Sequence, residues 1–197
     1  MIDTERLRLR QWRDDDRQAF AAMNVDPRVM RYFPAPYSAS ASNEFIDAQI
    51  EQIKRTGWGY LAVEQRSTAR FAGFIGASVA PDWHPCGGLP EIGWRLAHEF
   101  WGQGFATEAA AAALDAFFPV LPDDAVVAFT SACNRPSRRV MEKLGMTEDA
   151  IGFEHPRIPQ GSPLRAHVVY RLKRADWELA AQASGSSKGS SSVSAFS

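Results

Sequence analysis

The segment EIGWRLAHEFWGQGFATEAAAAALDAFF, residues 91–118, constrains the fold more than any other. Glu91 to Leu96 reads as a strand. It passes through a turn with glycines at 102 and 104 into a helix that starts about Phe105. The alanine run Ala109 to Ala113 carries little bulk, so this helix can lie close to a sheet or a ligand. The first turn of a helix leaves backbone N–H groups unpaired and carries partial positive charge. Glycines there remove Cβ obstruction, so a phosphate or pyrophosphate can approach the amides without a lysine. Two glycines alone also fit a turn that simply needs them.

Two other phosphate motifs fail on these residues. A Walker loop ends in Gly-Lys-Ser/Thr, whereas Gly104 is followed by Phe105 and Ala106. A dinucleotide fingerprint needs a third glycine where Thr107 stands, and no early βαβ unit hosts it.

The rest of the chain alternates strands and helices. LRLRQW, Leu7 to Trp12, alternates apolar and charged residues, as a strand with one wet face does. DDDRQAFAAMN opens with acids that suit a helix N-terminus. Asp26 to Ser38 reads as a short helical turn and a loop. SNEFIDAQIEQIKRTG places Phe45, Ile46, Gln49, Ile50 and Ile53 near helical spacing and stops at Gly57. WGYLAVEQ and RFAGFIGASVA form a predicted hairpin across the polar RSTA. The turn-rich PDWHPCGGLP then leads into the strand at Glu91. Asp123 to Thr130 is a further strand, and PSRRVMEKLGM is a short helix closed by Gly145. TEDAIGFEH and RAHVVYRLKR read as antiparallel strands, and ADWELAAQ as a terminal helical turn. This order predicts a single α/β domain over 1–182, a mixed sheet covered by helices. Residues 183–197 are rich in serine and glycine and cannot bury enough surface to offset ordering entropy. They read as a disordered tail or an appended remnant.

Charge and cysteine usage exclude several classes. The net charge of −1 offers no basic field for nucleic acid. Cys86 and Cys133 stand far apart, which fits a reducing cytoplasm better than a disulfide framework. No apolar run suits a signal peptide or approaches the ~18 residues of a membrane span. His84, His98, His155 and His167 do not fall at metal-ligand spacings, so no metal is expected. The expectation is a soluble cytoplasmic protein.

NRPSRRVMEKLGM, Asn134 to Met146, follows the next strand by a few residues. Paired with EIGWRLAHEFWGQGFATEA, it resembles the GNAT superfamily of N-acetyltransferases. The opening TERLRLRQW resembles the RimJ/RimL branch, the ribosomal-protein N-terminal acetyltransferases. The resemblance covers residues 3 to 178. It implies a central, mostly antiparallel, splayed sheet flanked by helices, and acetyl-coenzyme A as cosubstrate. The family's pyrophosphate loop, Gln/Arg-x-x-Gly-x-Gly/Ala, falls on Trp101, Gly102, Gln103, Gly104, Phe105 and Ala106. Trp101 departs from the pattern. Backbone N–H groups from Gln103 to Thr107 are then expected to hold the pyrophosphate. The resemblance also brings Trp94, Arg95 and Leu96 to the coenzyme, with a backbone N–H near Trp94 or Arg95 as oxyanion donor.

Acetyl transfer to an amine needs a neutral nucleophile and a proton for the departing thiolate. Glu91 is the expected base, acting through water and touching substrate; the alternative is an exposed strand-end carboxylate. Ser137 is the expected acid, with Asn134 orienting the pantetheine arm. These two also read as a helix N-cap and a turn residue respectively. Many family members carry a tyrosine where this chain has Val140, Met141 and Glu142. Arg135, Arg138 and Arg139 are within the family's reach of the 3′-phosphate, or are simply solvated. Tyr32, Phe33, Trp83 and His155 are the expected acceptor-side residues. The implied acceptor is a protein N-terminal amine or a small-molecule amine. The second reading is a non-catalytic acyl-coenzyme A binding or sensing module. Family relatives are often dimers, so a homodimer is among the expectations.

Overall fold

The computed structural model describes residues 1–150 and 152–186. Nine strands form one sheet. They are β1 (Ile2–Asp3), β2 (Leu7–Arg10), β3 (Tyr60–Gln65), β4 (Arg70–Val79), β5 (Pro90–Leu96), β6 (Ala125–Ser131), β7 (Thr147–Glu148), β8 (Phe153–Glu154) and β9 (Ala166–Lys173). The spatial order is β1-β2-β3-β4-β5-β6-β9-β7, with β8 also on β9. Every pairing is antiparallel except β5 with β6. That parallel pair meets at a single register position, Glu91 opposite Val127. Beyond it the two strands diverge, and the sheet opens as a V.

Five α-helices cover the sheet: α1 (Asp16–Val25), α2 (Ala39–Thr56), α3 (Phe105–Phe117), α4 (Arg135–Lys143) and α5 (Arg174–Ser186). Period-2 alternation sends neighbouring residues to opposite faces. Leu61, Val63 and Ile75 join Ile92 and Leu96 under α3, whose Ala109, Ala110, Ala113 and Leu114 are buried against them. The alanines let this helix approach closely, as its composition predicted. Ala62 and Phe74 face the other way, packing with Phe20 of α1, Ile46 of α2 and Trp12.

Two of the helices start where a side chain satisfies an early amide. Ser38 caps α2 by accepting from Ala41 N (3.1 Å), and Asn134 caps α4 by accepting from Ser137 N (3.3 Å). Ser137 is therefore not the N-cap residue; it lies inside the first turn. The acids before α1 are not all solvated. Asp16 is buried, taking two hydrogen bonds from Arg10 and one from Arg13 N. The segment expected as a short helical turn holds one 3₁₀ turn, Met30–Tyr32. α5 runs four residues into the expected tail; 187–197 lie outside the described residues.

Candidate active site

The V between β5 and β6 opens into a cavity of about 680 Å³. One end is the glycine turn. Gly102 and Gly104 adopt left-handed backbone conformations, φ 74° and 80°, that other residues reach only with strain. Gly104 stands at the N-cap of α3 with no side chain capping the helix. The first helical hydrogen bond is Glu108 N to Gly104 O (3.0 Å). The amides of Phe105, Ala106 and Thr107 precede it, and all three residues line the cavity. On α4, the exposed Arg139 and Lys143 also line the cavity.

The turn is braced from the N-terminus. Thr4 Oγ1 donates to Glu108 (2.6 Å), and Arg6 donates to Glu108 through its backbone N (3.0 Å) and Nε (2.7 Å). Arg6 Nη1 also donates to Gln103 O (2.8 Å), and the guanidinium lies over the Phe105 ring. Trp101 gives its indole N–H to Leu96 O (2.8 Å), so its departure from the Gln/Arg pattern ties the turn to β5. Gln103 does not line the cavity: its side chain donates to Glu99 O, and its carbonyl is taken by Arg6.

β5 forms the cavity floor. Ala97 N donates to Ala72 O (2.9 Å), which fixes the ladder phase with β4. By the two-residue period, the amides of residues 95 and 93 face β4, while those of Trp94 and Leu96 face the gap. The backbone donor left for an oxyanion is therefore Trp94 N–H. The Arg95 amide, the other expected donor, belongs to the ladder.

Glu91, Gly93 and Arg95 share the opposite face from Ile92, Trp94 and Leu96. Glu91 keeps some surface toward the cavity, but protein surrounds its carboxyl, and this desolvation raises its pKa to about 8. Gly93 makes room for Tyr60, whose hydroxyl would lie 2.8 Å from any Cβ there. Tyr60 is pushed well above the ordinary phenol value by burial and then by the nearby Glu91. The Arg95 side chain turns away from the coenzyme end toward Phe33 and Tyr37. On the facing wall, Ser137 and Asn134 line the cavity; Asn134 also donates to Thr130 Oγ1 (2.9 Å).

Residues 6–147 match the acetyltransferase (GNAT) domain family. The chain belongs to the GNAT family. It is an acetyl-CoA-dependent N-acetyltransferase, and the family moves acetyl groups to amines. It is similar to YkkB of Bacillus subtilis (strain 168), 32% identical over 73% of this chain and 83% of that protein. An acetyltransferase from Agrobacterium tumefaciens str. C58 matches at 30% identity and TM-score 0.69, over 87% of this chain and 92% of that one. Spermidine N-acetyltransferase from Vibrio cholerae, solved with CoA and spermine, shares the fold at 17% identity. Its TM-score is 0.70, over 89% of this chain and 99% of that one.

The cavity fits the GNAT coenzyme on its own chemistry: uncapped helix amides and two left-handed glycines suit a pyrophosphate, and two cations line the same cavity. Arg138 is committed elsewhere, to Glu148, Tyr170 and Ala132 O, and Arg135 is exposed. Among the described residues no cluster of His, Cys, Asp or Glu could hold a metal ion. No helix described is long and apolar enough to cross a membrane.

Of the residues expected on the acceptor side, Tyr32, Phe33 and His155 line the cavity, and Trp83 does not. Trp83 stacks behind His155, ring centroids 4.5 Å apart, in a cluster with His84, Phe129, Phe153 and His167. It supports the wall without reaching the space. His84 Nδ1 accepts from Cys86 N, and burial lowers its pKa to about 4, so it packs as a neutral ring. Sequence reasoning missed Tyr37, Phe45, Tyr60 and Phe74 as lining residues. Period-2 alternation from Ala62 assigns Tyr60 to the α1/α2 face; nothing local marks the others.

Proposed function

We propose that this GNAT enzyme transfers acetyl directly to a primary amine while both substrates occupy the splayed cleft. The observation that carries this is that one continuous cavity holds both the glycine-turn amides and Glu91. A direct attack needs donor and acceptor side by side. Acetyl-CoA supplies an acetyl group activated as a thioester. The amides of Phe105 to Thr107 hold its pyrophosphate, and Asn134 orients its pantetheine arm. Trp94 N–H points into the gap, where negative charge develops on the acetyl oxygen. Glu91 takes a proton from the amine through water; its raised pKa makes it a stronger base than an ordinary carboxylate. Ser137, on the opposite wall, gives a proton to the departing thiolate.

The acceptor is a protein N-terminal amine or a small-molecule amine. The opening TERLRLRQW supports the RimJ/RimL-like branch. Thiol release from acetyl-CoA with an amine and peptide panel tests the reading. Intersecting double-reciprocal lines are expected when both substrates are varied. Parallel lines would replace direct attack with a covalent enzyme intermediate. Tight coenzyme binding without release for any amine would favour the sensing module instead.

A further inference from the structure

The chain buries two arginines deeply and treats them differently. Arg10, 5% exposed, is surrounded by carboxylates: two hydrogen bonds reach Asp16 (2.7 and 2.8 Å) and one reaches Glu64 (2.8 Å). Arg95, 8% exposed, forms no ion pair among the described residues. Its Nη1 donates to Asn24 Oδ1 (2.7 Å), and its Nε is buried without a partner. The rings of Phe33, Tyr37 and Phe74 surround its Cζ at 4.0, 5.0 and 5.5 Å. A guanidinium cannot shed its proton inside a protein, and burying an unpaired charge is costly. Aromatic faces, one amide oxygen and the polar Tyr37 side chain offset part of that cost; a carboxylate would offset far more.

Arg95 lines the acceptor side of the cavity, on the same face of β5 as Glu91. They stand four positions apart, about 13 Å of strand. Glu91 is also the only acid among the residues lining the cavity. It forms no ion pair with Arg95, whose side-chain hydrogen bond goes to Asn24, so it leaves the cationic charge of Arg95 uncompensated. A polycation would find one carboxylate, Glu91, and the buried cation Arg95 in the same pocket. An amine carrying its own carboxylate would set the amine toward Glu91 and the carboxylate against Arg95.

We propose that Arg95 is an anchor for an anionic group on the acceptor, so that the acceptor is a small amine bearing a carboxylate. This rests on the acetyl-transfer reading above. The planar guanidinium, fixed among three rings, suits a carboxylate through its remaining N–H groups. A site built for that charge rejects the neutral analogue, because the buried cation is then left unpaired.

The test is thiol release from acetyl-CoA with matched acceptors: aminocarboxylates of two to six carbons, the amide of each, the corresponding diamines, and C-terminally amidated peptides beginning with Asp or Glu. At least one aminocarboxylate is expected to exceed its amide by about 100-fold in kcat/KM, with diamines lowest. Arg95→Gln is expected to abolish that preference chiefly through KM, leaving amide acceptors and coenzyme affinity within about twofold. Arg95→Lys should retain part of it. A merely structural role would lower both acceptor types together. Turnover confined to the acidic peptides would overturn the small-amine acceptor. Equal rates for carboxylates and amides would overturn the proposal. Coenzyme binding without turnover for any amine would sink the acetyl-transfer reading. Calorimetry of aminocarboxylates on the coenzyme A complex would then decide the anchor: binding lost in Arg95→Gln keeps it, and no binding overturns it.

Discussion

Glu91 shows how one residue's chemistry is set by its surroundings. Its pKa is raised from 4.5 to about 8 by burial alone. The free enzyme must lose that proton before Glu91 can act as base, so kcat/KM should climb with pH and level off above about 8. Glu91→Gln should lower kcat/KM about 100-fold at the plateau and remove that ionisation from the profile. Folding stability carries the same signature. The folded state holds this proton more tightly than the unfolded chain, so stability is fully present below 4.5 and is lost as pH rises through about 8. Glu91→Gln should therefore unfold at a higher temperature than the parent at pH 9, with the gap closing by pH 5, in paired thermal melts. The identity of Glu91 was legible from LPEIGWRL, but its pKa was not, because the residues that desolvate it come from distant segments. Arg95 was misread for the same reason. Its setting requires Asn24, Phe33 and Tyr37, which period-2 arithmetic on β5 cannot supply.

At the scale of elements, local signals carried furthest. The glycine stop of α2, the β3–β4 hairpin and the strand–turn–helix around Gly104 are all written in short windows, because caps, turns and periodicity are local physics. Gln103 was expected at the site from the pyrophosphate-loop pattern and Trp83 as an acceptor-side aromatic; the carbonyl of Glu99 holds the Gln103 side chain, and the Trp83 ring packs on His155, outside the cavity lining. The brace between the N-terminal segment and α3 was invisible in the same way, since Arg6 and Glu108 lie 102 residues apart. Arg6 is 43% exposed on its side chain, so its pairing with Glu108 adds little to global stability. It instead fixes Gln103 O and the Phe105 ring, and with them the direction of the loop amides. Arg6→Ala should raise the KM for acetyl-CoA about tenfold while kcat stays within about twofold. An unchanged KM would mean the turn holds its shape unaided.

The whole molecule is two antiparallel ladders, β1 to β5 and β6 with β9, β7 and β8, joined in the sheet at one register position. The resemblance implied a splayed sheet; that the parallel join narrows to Glu91 opposite Val127 is set by the packing of segments far apart in the chain, which short sequence windows do not carry. Coenzyme seated in the V should slow hydrogen exchange at residues 92–96 and 127–131 by about tenfold or more, with little change in β2 and β3. Protection spread evenly over the sheet would contradict this. The narrow join has a further consequence. It lies beside the cavity proposed for the coenzyme, so a ligand seated there would act as a stitch between two ladders that share one register position. Any change that closed the seam with extra rungs would harden the fold and, by the same act, seal the enzyme shut.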